Sequence, residues 1–358
     1  MYFKKIINIC LAFGCVICLD GCKPKQNVEE EDTPSPTPSE KTIDTSLPPN
    51  GTYFSETTGL PISKDLLNQR PIAAMIDCET IAMPHYGVAE ADIVYDLMNN
   101  VMNGRITRFM AIYKDYANIP QIGSIRSTRT TNVWLAGEWN AILCHDGEAW
   151  YAIEHLNRDY AQQHLSGIFS RVDNGKPREF TEYIMAGDVT SAAESYGFDL
   201  DYNQYKQDGE HFSFVKYNTE LDTGLFSTAT AVQLPYPHNE TSLTYNTETK
   251  SYDLSMYGEL HKDAEDDQVL TFTNLLLLDS NFTEYPDGGY VYYNICGQTG
   301  NGYYLTNGKM EPITWQKEGA DESITHYYDS NGNLLQMNRG KSYISYVPSD
   351  VWGDVVIQ

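Results

Sequence analysis

Arginine is unevenly distributed along this chain of 358 residues. Seven of its nine arginines lie in one region: Arg105, Arg108, Arg126, Arg129, Arg158, Arg171 and Arg178. Guanidinium groups donate paired hydrogen bonds to phosphate and carboxylate groups, and a helix start adds free amides. We therefore predict an anion-binding site made by these residues: Arg108, Arg126, Arg129, Asp77 and His145. The alternative is that the arginines only neutralise the acidic residues around them.

Four carboxylates near the ends of predicted strands are candidate catalytic groups: Asp77, Asp92, Asp96 and Glu148. Active sites of open α/β sheets form beyond the carboxyl ends of their strands. A pair of carboxylates at such an edge could hydrolyse a glycosidic bond. The competing interpretation is structural, because aspartate in loops commonly stabilises turns through its side chain. The structural role is the commoner of the two for such aspartates, and a catalytic pair would require two of the four carboxylates to lie on adjacent strands.

The overall charge argues against nucleic acid as a partner. The chain carries a net charge of −25, which repels phosphate backbones. Its eight histidines are scattered without an HExxH motif, and the body contains no CxxC pair. We therefore expect no metal site and no cofactor, and we expect His145 to have a structural role if it binds no ligand.

The N-terminus has the layout of a secretory signal. Lys4 and Lys5 precede an apolar run over residues 6–19, which is shorter than the ~20 residues that span a bilayer. Leu19-Asp20-Gly21-Cys22 resembles a bacterial lipobox, in which the cysteine carries the lipid. We predict a signal peptide over 1–21 and a lipid anchor on Cys22. An ordinary cleaved signal with a chance cysteine is the alternative.

A segment without core-forming residues follows the signal. Residues 22–58 are rich in proline, serine, threonine and acidic residues, a composition that cannot bury enough apolar surface to fold. Proline-rich chain is semi-extended. We predict a disordered linker over 22–58 that separates the folded body from a membrane.

The first part of the body, residues 59–210, alternates between strand and helix patterns. Strands are predicted at Ile72–Ile76, Ile93–Met98, Ile106–Tyr113 and Ala141–Cys144. Helices are predicted at Thr130–Trp139, Ala149–Leu156 and Asp188–Tyr196, the last with Asp188 as N-cap. This alternation is typical of an α/β domain with a mixed sheet and helices.

The second part, residues 211–358, is mainly β. Tyr245–Tyr252 reads as a hairpin, and Asn307-Gly308 and Asn331-Gly332 are hairpin turn signals. Gly297–Gly302 is rich in glycine but precedes no helix, so we predict a loop there rather than a nucleotide-binding turn. The many tyrosines suit either sugar stacking or ordinary cross-strand packing. The whole body is thus predicted to be α+β.

Several stretches together resemble the YerB-like lipoprotein family, a domain of unknown function. They are Arg70–Asp77, Gly87–Asp96, Ile106–Phe109, Ile122–Arg129, Gly302–Lys309, Ile313–Lys317, Tyr328–Gly332 and Gly340-Lys341. The resemblance implies a two-part extracytoplasmic lipoprotein of Gram-positive bacteria and implies no particular activity. The chain departs from the family pattern at Cys78, at Asn103-Gly104-Arg105 and at Glu148.

Three hypotheses of function follow from the sequence. The first is a lipid-anchored protein at the outer face of the cytoplasmic membrane that binds an anionic or glycan ligand of the envelope, such as a cell-wall polymer or peptide. The second is a cell-wall hydrolase that uses the aspartate and glutamate carboxylates. The third is a scaffold for envelope protein partners.

Overall fold

The computed structural model describes residues 47–358. The predicted signal peptide, Cys22 and most of the predicted linker lie outside the described residues. Within this part of the chain, no helix is both long enough and apolar enough to cross a membrane. The α-helices are α1 (Thr130–Glu138), α2 (Ile153–Leu156) and α3 (Asp188–Tyr196). Short 3-10 helices are Lys64–Leu66, Thr80–Ala82, Trp150–Ala152, Arg178–Phe180 and Ser349–Asp354.

Strands make up most of the regular structure. In the first half of the described chain they are β1 (Thr52–Phe54), β2 (Pro61–Ser63), β3 (Ile72–Asp77), β4 (Ile93–Met98), β5 (Thr107–Tyr113), β6 (Gln121–Gly123), β7 (Ile142–His145), β8 (His164–Ser166), β9 (Ser170–Arg171) and β10 (Glu182–Met185). In the second half they are β11 (Ser213–Phe214), β12 (Ser227–Thr228), β13 (Ala231–Gln233), β14 (Ser242–Asn246), β15 (Ser251–Met256), β16 (Glu259–Leu260), β17 (Thr271–Phe272), β18 (Asn274–Ser280), β19 (Phe282–Glu284), β20 (Val291–Tyr293), β21 (Gln298–Thr306), β22 (Lys309–Lys317), β23 (Thr325–Tyr328), β24 (Gln336–Met337), β25 (Ser342–Pro348) and β26 (Val356–Ile357).

One mixed sheet of eleven strands forms the centre of the fold. Its order is β12-β22-β21-β18-β25-β4-β5-β3-β7-β8, with β23 paired to β22. Strand β25 lies parallel to β18 on one side and to β4 on the other, so it joins strands from both parts of the body. The two-domain division at residues 210 and 211 stays a prediction, while the hydrogen-bonded sheet runs through both parts.

The central strands are buried on both faces, which explains their continuous apolar sequences. Every residue of β3, β4, β5 and β25 is buried. Such strands read as apolar runs rather than as alternating patterns, because both sheet faces are covered. A second sheet of six strands runs β16-β15-β14-β13-β26, with β17 paired to β15. The fold is α+β and largely β, as predicted.

Helix α1 is buried along its whole length and forms a buried ion pair with strand β22. Glu138, at its last turn, lies 3.0 Å from Nζ of Lys317 on β22, and both side chains are at most 1% exposed. The same carboxylate accepts hydrogen bonds from Thr325 Oγ1 at 2.9 Å and from the Tyr95 hydroxyl at 3.2 Å. A buried charge is tolerated only with such partners, so this network fixes α1 against the sheet.

The predicted elements agree with the observed ones in most places. The strands predicted in 72–144 correspond to β3, β4, β5 and β7, and the three predicted helices are present, with 3-10 geometry in the first turn of the second. The hairpins predicted around residues 245–252 and at Asn307-Gly308 are confirmed as β14–β15 and β21–β22. The Asn331-Gly332 turn joins Tyr328 and Leu334 through a single bridge.

Three local predictions were wrong. The loop predicted at Gly297–Gly302 is mostly strand β21, where a Cβ on Gly300 would lie 2.5 Å from the Trp315 indole nitrogen. Glycine there permits close packing rather than a turn. The linker ends earlier than residue 58, because β1 is paired and Thr57 Oγ1 donates to Asp92 at 2.8 Å. Gly187, not Asp188, is the N-cap of α3.

Candidate functional site

Asp77 is the centre of the arginine-rich region. It ends strand β3, and the antiparallel register with β5 places it directly opposite Arg108. Its Oδ2 accepts a hydrogen bond from Nε of Arg126 at 2.6 Å and another from Nη2 of Arg108 at 3.3 Å. Its Oδ1 accepts the backbone N–H of Glu79 at 2.7 Å. The structure therefore brings three of the predicted site residues into direct contact.

The pKa of Asp77 reflects two opposing effects, its burial and its hydrogen-bonding and charged partners. Asp77 is fully buried, which by itself would raise the pKa of its carboxyl. Arg108, the Glu79 N–H and Arg126 outweigh that effect and hold the pKa of Asp77 below its ordinary value. The carboxylate is thus ionised at neutral pH, and its oxygens are occupied by protein donors. Its evident role is to orient Arg108 and Arg126.

Arg129 differs from most of its neighbours in having no carboxylate partner. Arg105, Arg158 and Arg171 form ion pairs with Asp350, Glu154 and Asp146, respectively, as the charge-balance alternative predicts. Within residues 47–358, Arg129 forms no ion pair with an acidic side chain. It is the N-cap of α1, donates to the carbonyl of Thr128 at 2.8 Å and lies 4.7 Å from the ring centroid of Tyr290.

The surroundings of Arg129 disfavour its positive charge. Burial, Arg108 and Arg126 together lower its pKa to about 10, although Tyr151 and Tyr290 act in the opposite direction. The group is still protonated at neutral pH. A buried guanidinium without an anionic partner is a strong candidate for binding one.

His145 belongs to the same region but does not touch the arginines through its ring. Its Nδ1 donates to the carbonyl of Gly147 at 2.7 Å, and its Nε2 accepts from His164 Nδ1 at 2.9 Å. Burial lowers its pKa to about 4, so the ring is neutral at physiological pH. The link to the arginines runs through the backbone, since Asp146 N–H donates to the Arg126 carbonyl at 3.0 Å. His145 therefore fixes the loop beside the arginines.

An open cleft of about 440 Å³ adjoins Arg129. It is lined by Ser127, Arg129, Glu148, Ala149, Trp150, Tyr151, Asp287, Gly288 and Tyr290. Trp150 is 65% exposed there, whereas large apolar side chains are normally covered. Tyr151 stacks on Tyr285 with ring centroids 3.5 Å apart, and its ring meets that of Trp150 at an interplanar angle of 75°. These contacts support the tryptophan ring.

The four candidate carboxylates do not share one environment. Glu148 lines the cleft, and Asp77 is held by arginines. Asp92 accepts from Thr57 and from the Lys114 N–H, and Asp96 from the Tyr343 hydroxyl at 2.5 Å. Burial raises the pKa of both Asp92 and Asp96 to about 6. Glu148 alone of the four lines this cleft.

Metal binding and thiol chemistry would both depend on the His, Cys, Asp and Glu side chains. Between residues 47 and 358, no group of three or more His, Cys, Asp or Glu side chains is arranged to hold a metal ion. Cys78, Cys144 and Cys296 are free thiols, and burial raises the pKa of each above its ordinary value. None of the three is therefore an activated nucleophile.

The aromatic side of the cleft was not predicted from the sequence. Trp150 falls inside the predicted helix Ala149–Leu156, and Tyr290 lies in the part predicted only as mainly β, so neither was singled out. One signal was available: Trp150 follows the carboxyl end of β7 by five residues, where ligand-binding loops often lie. Pro286-Asp287-Gly288-Gly289 likewise marks a tight turn before Tyr290. Their proximity in space could not be read from the sequence.

Comparison with known proteins places the chain in a family. Residues 57–199 match the N-terminal domain, and residues 232–344 the C-terminal domain, of a protein of unknown function, DUF3048. The Bacillus subtilis (strain 168) protein named "Putative lipoprotein YerB" is 23% identical over 317 residues, which cover 84% of this chain and 85% of that protein. The crystal structure of YerB from Bacillus subtilis has a similar fold, with a TM-score of 0.72 at 22% identity over 85% of this chain and 99% of that one. Since the two domain models together match most of its length, this chain belongs to the DUF3048 family.

Proposed function

We propose that the chain is a lipid-anchored protein at the outer face of the cytoplasmic membrane that binds an envelope glycan with an acidic substituent. The observation that carries the proposal is the exposed ring of Trp150 in a cleft that also contains Arg129. Ligand sites combine aromatic walls with a few polar groups that converge on them.

Each side of the cleft suits one part of such a ligand. The exposed indole of Trp150 offers a flat apolar surface for a sugar ring. Arg129 offers a guanidinium without a carboxylate partner for one carboxylate or phosphate. Glu148 and Asp287 can accept hydrogen bonds from hydroxyl groups, and their charges disfavour a polyanion. A glycan with few negative charges fits this combination better than a densely charged polymer does.

The proposed location rests on different residues. The apolar run at residues 6–19 and the lipobox-like Leu19–Cys22 support export and lipid attachment. The relative YerB is named as a lipoprotein, which supports the same anchor here. A protein held at the membrane by Cys22 would meet its ligand in the cell envelope.

Binding can be tested with the chain from residue 22 onward carrying Cys22→Ser, titrated with purified wall glycan fragments by calorimetry. Trp150→Ala and Arg129→Met should each weaken binding about tenfold or more, equivalent to about 1.4 kcal/mol. Arg158→Ala is the matched control, because Arg158 is exposed and pairs with Glu154. Equal affinity of all four proteins, or no binding by the parent protein, would refute the proposal.

A second candidate is a cell-wall hydrolase that acts in the same cleft. The observation that favours it is that two carboxylates, Glu148 and Asp287, line the cleft. A pair of carboxylates on either side of a sugar can cleave its glycosidic bond. Release of soluble fragments from purified cell walls, abolished by Glu148→Gln or Asp287→Asn, would establish hydrolysis. Binding without release would establish the first function alone.

A further inference from the structure

The charged side chains that line the open cleft are Arg129, Glu148 and Asp287. Within residues 47–358, none of them forms an ion pair with an oppositely charged side chain. Glu148 lies 3.9 Å from Nδ1 of His145, but that ring is neutral because burial lowers its pKa to about 4. The cleft therefore contains one guanidinium and two carboxylates that have no charged partner among the described residues.

The ring of Trp150 is available to a cation as well as to a sugar. It is 65% exposed, and no lysine or arginine of the described chain lies over it. The guanidinium of Arg129 lies over a different ring, with its central carbon 4.7 Å from the centroid of Tyr290. The face of a tryptophan attracts ammonium groups, and nearby carboxylates add a second attraction. Glu148 and Asp287, which line the same cleft, provide such carboxylates.

The balance of these charges discriminates between classes of ligand. A ligand with negative charges alone would be attracted by Arg129 and repelled by both carboxylates. A ligand with positive charges alone would leave the guanidinium of Arg129, which is only 9% exposed, without an anion. A ligand that carries both kinds of charge gives each of the three side chains an opposite partner.

We infer that the cleft selects a zwitterionic ligand, which carries a free amino group as well as a carboxylate or phosphate. The ammonium group would bind at Trp150, Glu148 and Asp287, and the acidic group at Arg129. This inference rests on the proposed glycan function of the same cleft and narrows the class of ligand. An amino sugar and a peptide attached to a sugar offer the same chemistry, because each supplies an ammonium group close to a sugar ring.

Two pairs of acidic wall fragments test the inference by calorimetry, with the chain from residue 22 onward carrying Cys22→Ser. One pair is a disaccharide–peptide with a free peptide amine and its N-acetylated form. The other is a disaccharide that contains muramic acid with a free sugar amine and its N-acetylated form. In at least one pair, acetylation should raise Kd about tenfold or more, and that pair identifies the source of the amine. Equal Kd values within both pairs would overturn the inference and leave glycan binding intact, whereas no binding of any fragment would overturn both.

Replacing the two carboxylates tests whether they recognise the amine. The double variant Glu148→Gln, Asp287→Asn should bind the free and the acetylated fragment with similar Kd. Both side chains are at the surface, so the variant should fold with a Tm close to that of wild type. Glu220→Gln is the control, because Glu220 is 60% exposed and pairs with Lys250 outside the cleft, and it should keep the wild-type discrimination. Discrimination retained by the double variant would overturn the inference.

Discussion

The Nε atom of Arg126 lies 2.6 Å from Oδ2 of Asp77, and the same oxygen accepts Nη2 of Arg108 at 3.3 Å. One fully buried carboxylate thus holds two guanidinium groups that come from different elements, strand β5 and the segment before α1. The pairing with Arg108 follows from the strand register, and the pairing with Arg126 from the loop after β6. Asp77 is therefore the residue on which the geometry of the arginine region depends.

Replacing Asp77 with asparagine should destabilise the fold strongly. The variant leaves the buried Arg108 and the partly buried Arg126 without their carboxylate, and breaking a buried pair in this way costs about 3–5 kcal/mol. The free energy of unfolding from urea titration at pH 7 measures the effect. Glu179→Gln is the control, since Glu179 is the exposed second partner of Arg126 at 3.1 Å and should cost less than about 1 kcal/mol. Similar losses for both variants would contradict this role of Asp77.

The buried pair Lys317–Glu138 should be equally sensitive. Lys317→Met leaves the carboxylate of Glu138 buried with only hydroxyl donors, from Tyr95 and Thr325, and should cost about 3–5 kcal/mol. Lys250→Met is the matched control, because Lys250 pairs with Glu220 at 2.6 Å while both are 60% exposed. The control should change the free energy of unfolding by less than about 1 kcal/mol. An equal effect of the two substitutions would argue against the helix-fixing role of the buried pair.

A second histidine pair, His85–His261, should make stability depend on pH. Nε2 of His85 donates to the Asp77 carbonyl at 2.6 Å, and its Nδ1 accepts from His261 at 3.1 Å, so the His85 ring must be neutral. Burial lowers the pKa of His85 to about 4, below the ~6.5 of an unfolded chain. Its contribution is therefore complete above about pH 6.5 and is lost as the pH falls towards 4.

The variant His85→Gln isolates this contribution from other titrating groups. It should be less stable than wild type at pH 7.5, and the difference should shrink by up to roughly 3 kcal/mol between pH 7 and pH 4.5. Urea unfolding at a series of pH values measures both proteins. A pH-independent difference for His85→Gln would rule out a neutral buried ring.

Asp96 should show the opposite pH dependence. Burial raises the pKa of its carboxyl to about 6, above the ~3.9 of an unfolded chain, so the ionised form opposes folding above pH 6. Asp96→Asn should be more stable than wild type at pH 7.5 by about 1–3 kcal/mol, and the gain should vanish as the pH approaches 4. The hydrogen bond from the Tyr343 hydroxyl remains available to the amide oxygen. A loss of stability at pH 7.5 would show that the charge is needed.

The predicted anchor on Cys22 has a simple cellular test. Cys22→Ala removes the only attachment point in the lipobox-like segment, so the protein should move from the membrane fraction to the medium. Immunoblotting of the two fractions measures the change. Cys15→Ala, inside the apolar run, is the control and should leave the protein at the membrane. Membrane retention of the Cys22→Ala variant would refute lipid attachment there.

Local structure was largely predictable because local sequence determines it. The apolar runs of β3, β4 and β5 and the Asn307-Gly308 turn carry their own signals. The local sequence does not indicate which strand pairs with each of them. Nothing in Ser342–Pro348 indicates that it pairs with Ile93–Met98 some 250 residues earlier, since register is set by the packed sheet. The wrongly predicted Gly297–Gly302 segment shows the same limit, because the close packing of Gly300 against Trp315 on the next strand cannot be seen in the local sequence.

The candidate site likewise contains residues that could be predicted from the sequence and residues that could not. The grouping of Arg108, Arg126 and Arg129 could be predicted from their concentration in one region. Tyr290 could not be assigned to the site, because it comes from a loop far along the chain that packs onto Arg129. The distinction between Arg129 and the ion-paired arginines also required coordinates, as each pairing depends on which acidic side chain lies nearby.

The position of strand β25 in the sheet determines when the main sheet can form as the chain is synthesised. It occupies the middle of the eleven-stranded sheet, between β18 and β4, yet it follows β4 in the chain by some 250 residues. A growing chain therefore cannot close its main sheet until β25 has been synthesised, and until then β4 and β18 each keep an open edge. Such late, long-range pairing favours slow folding and exposure to chaperones. A premature stop anywhere before residue 342 would leave both halves of the protein without a common core.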